Sequence, residues 1–344
     1  MEKKYYEEEV VKFSHWREEY LQGLYDFLST QKERAKGVRE QFITPQKYKD
    51  NPQKYRECLM NLLGFPLNQN RANPKLHKKE FIATDGNVNI YRMQLTFFDG
   101  LRFYGLYFEQ IENAKEAPFV IGLHGGGDTP EIVSSMYDDS GCYHHLVRRI
   151  TDKGANVFAP QLLLWRDEPY GANYDRVLLD GKLRQLGGSI TALEIYMLQG
   201  CIDYFLSEEG VNSEKIGAAG MSYGGMYALL LSAVDVRIKA CYSSSWVNDC
   251  YIHSWADWSY LNAQNSFTVA EMAAMIAPRA LVVAMGDKDT LFDYQITQQE
   301  CDRIRPYYEI FEKSQSFKCI VFNGLHEVDW SNEEIDFLFK NLVD

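Results

Sequence analysis

A chain of 344 residues, 46% hydrophobic and 24% charged, has the composition of a globular protein able to bury a sizeable core, so disorder is not expected to dominate. Its net charge of −12 excludes a surface built to follow a phosphate backbone, which depends on clustered Lys and Arg, and no nucleic-acid partner is expected. Lys3 and Lys4 are followed by no apolar leader and no stretch reaches the roughly 18 uninterrupted apolar residues of a membrane span, so the expectation is a cytoplasmic protein without a membrane partner.

From Tyr6 to Leu28, apolar residues recur at the three-and-four spacing of an amphipathic helix, through Val10, Phe13, Tyr20, Leu24 and Phe27. Such a helix needs a surface to lie on. Between Lys32 and Pro74, four prolines (Pro45, Pro52, Pro66, Pro74) and the run Cys58 to Leu63, ended by Gly64, predict short helices joined by turns. Residues 1–75 are therefore expected to form a helical extension without a core of its own, one that could cover a site, brace the domain or pair with a second subunit as a homo-oligomer.

After Pro74 the texture becomes strand-like, at 80–84, 91–97 and 104–108, with a turn at Asp99-Gly100. Short runs apolar on both faces then alternate with helical segments, at 119–123, 156–159, 215–219, 240–243, 280–285 and 319–322. That alternation predicts an α/β domain over residues 76–344, with a mostly parallel doubly wound sheet covered by helices on both faces. The seven cysteines are scattered, with no CxxC pair and no metal-ligand spacing, as reduced thiols would be. The cluster Asp138, Asp139, His144 and His145 also matches no standard metal site.

Two glycine-rich turns carry chemistry. The run Lys215 to Ala219 leads into Gly220-Met221-Ser222-Tyr223-Gly224-Gly225 and then an apolar helix: strand, sharp turn, helix, with the pattern G-x-S-x-G. Flanking glycines allow the serine to be held in a strained conformation with its hydroxyl above the sheet edge. A serine hydroxyl is a poor nucleophile at neutral pH and needs a base. The second turn is His124-Gly125-Gly126-Gly127, at the end of an apolar strand, where backbone N–H groups can point at a substrate carbonyl. Gly125 or Gly126 is the expected first oxyanion donor and Tyr223 the second, while His124 is expected to prop the loop.

In α/β-hydrolases the partners of such a serine follow in the order acid, then histidine. Only His253 and His326 lie beyond Ser222, and His253 precedes the next strand signal, which leaves His326 as the general base. Between them the strand 280–285 ends in Gly286-Asp287-Lys288-Asp289, offering two carboxylates.

These residues together resemble the α/β-hydrolase superfamily and, more narrowly, its dienelactone hydrolase and acetyl xylan esterase-like branch, over about residues 76–344. The segment Leu231 to Ala240 also looks like that branch. Because the matching turn of the fold usually reads G-x-x-D, the resemblance favours Asp289 over Asp287 as the triad acid. It implies a serine esterase that acts on short-chain acyl esters, O-acetyl groups on carbohydrates among the candidates, without cofactor or metal. One departure points away from a strictly xylan-type substrate: where acetyl xylan esterases often carry a tyrosine after His-Gly, this chain has Gly126. A serine peptidase or amidase of the prolyl oligopeptidase kind, or a non-enzymatic binding protein on the same fold, are the alternatives.

Candidate substrate residues come from two edge loops. Trp246, Trp255 and Trp258 lie in an aromatic-rich loop or lid at about 246–270, whose rings could form a platform for a sugar or aryl group. Trp165 and Arg166 follow the strand ending near Pro160.

Overall fold

The structure is a computed structural model and describes residues 10–71, 73–98, 100–136, 141–164 and 174–343. A long helix, α1 (Ser14–Phe42), is followed by α2 (Pro45–Asp50) and α3 (Pro52–Leu63), each opened by a proline at its first position and capped by the side chain of Thr44 or Asn51. The strands β1 (Lys75–Asp85), β2 (Val88–Phe97) and β3 (Leu101–Gln110) form an antiparallel meander. The alternating part then runs β4 (Phe119–Leu123), α4 (Pro130–Val133), α5 (Leu146–Asp152), β5 (Asn156–Pro160), α6 (Arg176–Gln185), α7 (Ile190–Tyr204), β6 (Ile216–Met221), α8 (Tyr223–Val234), β7 (Ile238–Ser244), α9 (Val269–Ala274), β8 (Ala280–Gly286), α10 (Tyr294–Glu309), β9 (Phe317–Phe322) and α11 (Glu333–Val343).

The nine strands make one sheet in the order β1-β2-β3-β5-β4-β6-β7-β8-β9, antiparallel through β3-β5 and parallel from β5 onward. β1 lies at one edge, largely exposed and broken by two register shifts, between Leu76 and Lys78 and between Phe81 and Ala83. Residues of the parallel strands, apart from the edge strand β9, are largely buried on both faces, because one side packs against α7, α8, α9 and α10 and the other against α5 and α11. α2 and α3 are not a separate unit: Tyr48, Tyr55, Leu59 and Leu63 join the larger of these two cores.

α1 departs from the expected span. It continues to Phe42, because Ala35 and Arg39 are buried against the domain, and Arg39 donates to the Gln264 carbonyl at 2.6 Å. Its first half has no such support, and every residue from 14 to 30 is exposed.

One buried acid gives the fold a pH dependence. Burial, reinforced by Asp329 and Glu333, raises Glu334 in the first turn of α11 from 4.5 to about 7. The folded state therefore prefers the protonated form, so this contribution to stability is fully present below about pH 4.5 and is lost as pH rises through about 7. Glu334→Gln is expected to raise stability at pH 8 by on the order of 2 kcal/mol and to leave it unchanged near pH 4.5, as read by urea unfolding at both values.

Candidate active site

Because β4, β6, β8 and β9 are parallel, the loops leaving their C-terminal ends meet at one rim of the sheet, and those loops carry His124–Gly127, Ser222, Asp289 and His326. Ser222 has φ +57° and ψ −124°, a conformation that non-glycine residues rarely adopt. The turn is too tight for side chains at its flanks: a Cβ on Gly220 would lie 2.3 Å from the Gly224 carbonyl oxygen, and one on Gly224 would lie 2.2 Å from that of Leu123. The Ser222 N–H donates to the Ser244 carbonyl at 2.8 Å, which pins the elbow to the end of β7.

Asp289 and His326 meet directly. Imidazole Nδ1 and carboxylate Oδ2 are 2.7 Å apart, with the Asp289 side chain 0% exposed and that of His326 24% exposed. The other oxygen of Asp289 accepts from the N–H groups of Leu291 (2.7 Å) and Phe292 (3.0 Å), so the carboxylate is held from two sides. Asp287 is exposed and accepts from the Gly324 N–H at 3.2 Å, a role in turn geometry away from the imidazole. Nδ1 is thus committed as donor to Asp289, and Nε2 is left as the proton acceptor.

The histidine loop is tied to the elbow through backbone. The Glu327 carbonyl, next to His326, accepts from the hydroxyls of Ser245 (3.0 Å) and Ser244 (3.3 Å), and the Ser244 carbonyl is the acceptor for Ser222. Among the described residues no hydrogen bond joins the Ser222 hydroxyl to His326. Such contacts commonly tighten only with substrate bound.

The HGGG loop lies against the nucleophile, since a Cβ on Gly125 would be 3.3 Å from that of Ser222. The two glycines left open as first donor, Gly125 and Gly126, differ in their partners. The Gly125 N–H donates to the Tyr143 hydroxyl at 2.5 Å, and that hydroxyl donates to Asp128 Oδ2 at 2.5 Å. The Gly125 N–H is therefore engaged in holding the loop, and Gly126 beside it is half-buried. Burial and the Asp128 charge push the Tyr143 hydroxyl well above its usual range, so it stays protonated and can serve both partners. His124 braces the same loop: Nδ1 faces the Gly125 carbonyl (2.8 Å) and Nε2 accepts from the Leu162 N–H (3.0 Å), while burial lowers its pKa to about 4 and keeps it neutral. Tyr143→Phe leaves a buried N–H without its acceptor, a loss of about 1–3 kcal/mol. Roughly a 10- to 100-fold fall in kcat is expected, with KM changed little, in steady-state ester hydrolysis.

The tryptophans divide. Trp255 and Trp258 stack at 4.4 Å with planes 2° apart, and Tyr223 stacks on Trp258 at 5.3 Å. Phe292 extends the row from Trp258 (6.3 Å) to the His326 ring (5.6 Å). Trp255 is half-buried. Trp246 and Trp258 are buried, which corrects the expectation that they offer a face to substrate. Trp246 instead lines, with Met226, Leu230 and Phe267, a partly open pocket of about 220 Å³ that no residue of the Ser222, Asp289 and His326 set borders. Trp165 and Arg166 lie outside the described residues, as do Asp138 and Asp139. His144 packs flat on Trp330 at 3.8 Å, and His145 reaches Ser135 at 2.9 Å. Among the described residues no group of His, Cys, Asp and Glu could hold a metal ion.

Sequence reasoning missed a buried ionic network behind the nucleophile. Arg176 Nε donates to Asp257 (2.6 Å), Nη1 to Glu194 (3.2 Å) and Nη2 to the Tyr227 hydroxyl (2.8 Å). The Tyr223 hydroxyl donates to the same Asp257 carboxylate at 2.9 Å. Burial alone would lower the Arg176 pKa, but Tyr227, Glu194 and Asp257 raise it well above the ordinary value. The one hint in the sequence is an acid set between two tryptophans, Trp255-Ala256-Asp257-Trp258.

No family model matches the chain. A curated protein of Bacillus subtilis (strain 168) named "Putative hydrolase YtaP" is 28% identical over 126 residues, 34% of this chain and 40% of that one, so the matched region is well under half the length of that relative. Among solved structures, an acetyl xylan esterase of Bacteroides fragilis NCTC 9343, assigned that activity provisionally, superposes with a TM-score of 0.65 at 14% identity, covering 87% of this chain and 84% of the other. A glucuronoyl esterase from Solibacter usitatus superposes with a TM-score of 0.65 at 15% identity, covering 88% and 95%. With identities this low, what is shared is the architecture. The chain has the α/β-hydrolase fold.

Proposed function

We propose that this protein is a serine carboxylic ester hydrolase acting on short-chain acyl esters, with O-acetylated carbohydrates as the substrate class. The observation that carries the reading is the buried Asp289 carboxylate, 2.7 Å from His326 Nδ1, at the same rim as a serine held at φ +57°. The esterase activities named for the structural neighbours, both toward carbohydrate esters, support it in the same direction. Ser222 Oγ attacks the ester carbonyl carbon while His326 Nε2 takes the hydroxyl proton. The N–H groups of Gly126 and Tyr223 receive the developing oxyanion, Tyr223 opening α8 with an amide that the helix ladder itself does not use. As the tetrahedral intermediate collapses, the protonated His326 gives its proton to the departing alkoxide oxygen. Water, deprotonated by the same Nε2, then attacks the acyl-enzyme carbonyl and releases the carboxylic acid, restoring the Ser222 hydroxyl. Asp289 stabilises the imidazolium at both stages. The half-buried Trp255 would flank a pyranose ring.

The test is a hydrolysis screen of nitrophenyl esters from acetate to decanoate beside acetylated sugars, with a dipeptide anilide as amide control. Turnover greatest on acetate, extending to acetylated sugars and absent in Ser222→Ala, is expected. Preference for the anilide would replace the esterase reading with a peptidase one, and inactivity of the parent on every ester would remove it.

A further inference from the structure

The half of α1 that reaches beyond the domain carries Trp16, Tyr20, Leu21, Leu24, Tyr25, Phe27 and Leu28, all exposed, with Trp16 at 61%, Tyr20 at 76% and Phe27 at 56%. At 100° per residue these seven fall on a single arc of about 180°, which also includes Arg17. The opposite arc holds Glu18, Glu19, Gln22, Asp26 and Ser29. The helix is anchored from Leu28 onward. Lys32 pairs with Asp249 at 2.8 Å, Arg39 lies 3.5 Å from Glu271, and the Tyr251 hydroxyl donates to the Leu28 carbonyl at 3.3 Å. An isolated helix of some 17 residues is marginal in water, and most helices are held by packing of their apolar face. Here, among the described residues, all of 14–30 are exposed, and the body of the domain meets that stretch through the hydrogen bond at Leu28.

We propose that residues 14–30 of α1 pair with the same segment of a second copy of this chain, giving a homodimer. The choice of occupant rests on charge and area. A helix that lies on a membrane surface carries Lys and Arg on its polar arc. The polar arc here is acidic, and the whole chain has a net charge of −12, so an anionic lipid surface repels it. At about 150–250 Å² per aromatic side chain, the exposed fractions of these seven residues sum to roughly 700–800 Å² per copy. Two copies together bury about 1,500 Å², the area of a standard specific interface. Self-pairing is isologous, so one unpartnered face satisfies both helices at once. The arc is wider than a two-helix seam, and its flank, Leu21 and Leu28, continues the side on which Ala35 and Arg39 meet the domain, so each arm contacts its partner's arm and the partner's domain shoulder.

Sedimentation equilibrium of the full chain at 1–100 µM tests this. The expected mass is twice 39.8 kDa for the parent, falling to a single 39.8 kDa in the double variant Tyr20→Glu, Phe27→Glu, with the far-ultraviolet circular dichroism of the 30–343 body and the melting transition retained. Glu19→Lys with Gln22→Lys, on the polar arc, is expected to leave the mass doubled. A parent monomeric at 100 µM overturns the proposal, as does a dimer that survives Tyr20→Glu, Phe27→Glu. So does a monomeric parent that floats with phosphatidylcholine or phosphatidylglycerol vesicles, which would assign the arm to lipid.

Discussion

Ser222→Ala is expected to lower kcat on nitrophenyl acetate by about 10⁶-fold, while leaving KM and the melting temperature near the parent values. On the proposed mechanism, removing the hydroxyl removes the atom that would form the acyl-enzyme, and leaves His326 and Asp289 with nothing to activate. The half-buried side chain makes no hydrogen bond to His326 in the resting arrangement, so stability loses little. A companion variant separates chemistry from strain. Ser222→Gly is equally inactive but relieves a backbone at φ +57°, and is expected to unfold at higher denaturant, by about 1 kcal/mol. Asp289→Asn, which disturbs the tautomer of His326, is expected to cost about 10⁴ in kcat. Active-site titration together with urea unfolding reads all three. Wild-type turnover in Ser222→Ala would show that the hydroxyl carries no chemistry.

The second large effect is on stability. Arg176→Met leaves Asp257 and Glu194 buried without their shared cation and is expected to destabilise the fold by about 3–5 kcal/mol, since breaking a buried pair from one side leaves uncompensated charge. Adding Asp257→Asn to Arg176→Met should recover part of that loss, because the two changes act on one network. The network also reaches the site through the Tyr223 hydroxyl, so kcat should fall with stability in Arg176→Met even far below the melting temperature. A loss under about 1 kcal/mol with full kcat would mean that the guanidinium is replaceable by packing alone.

Much of the candidate rim is readable along the chain because its signals are local. Gly220 and Gly224 flank Ser222 within one turn, and their close approach to Gly224 and Leu123 backbone is the reason no other residue serves. The short runs at the ends of β8 and β9 likewise announce the loops that bring Asp289 to His326. What stays hidden is long-range polar pairing. Arg176 and Asp257 are 81 residues apart, and Tyr143 reaches Gly125 across 18, with no periodicity to betray either. Tryptophans in the 246–258 loop are equally ambiguous in sequence, since a ring stacked inward and one facing a ligand have the same composition; only burial separates Trp246 from Trp255. The N-terminal helix shows the reverse case. Its apolar spacing is plain, but whether the missing surface belongs to the same chain is a property of packing, and the domain leaves residues 14–30 uncovered.

The outer strand β1 bears on how copies of this chain can meet. Two register shifts interrupt its pairing, and Lys75, Lys78 and Lys79 crowd charge into its first five residues, Lys78 paired with Glu80 and Lys79 with Glu209. A strand so irregular and charged is a poor template for backbone pairing with a neighbour. At the far flank, β9 has only six residues, and Lys318 sits on it. Sheet extension into fibrils is thus discouraged from both ends, and crowding this protein should drive it toward a closed assembly of defined size rather than open-ended growth.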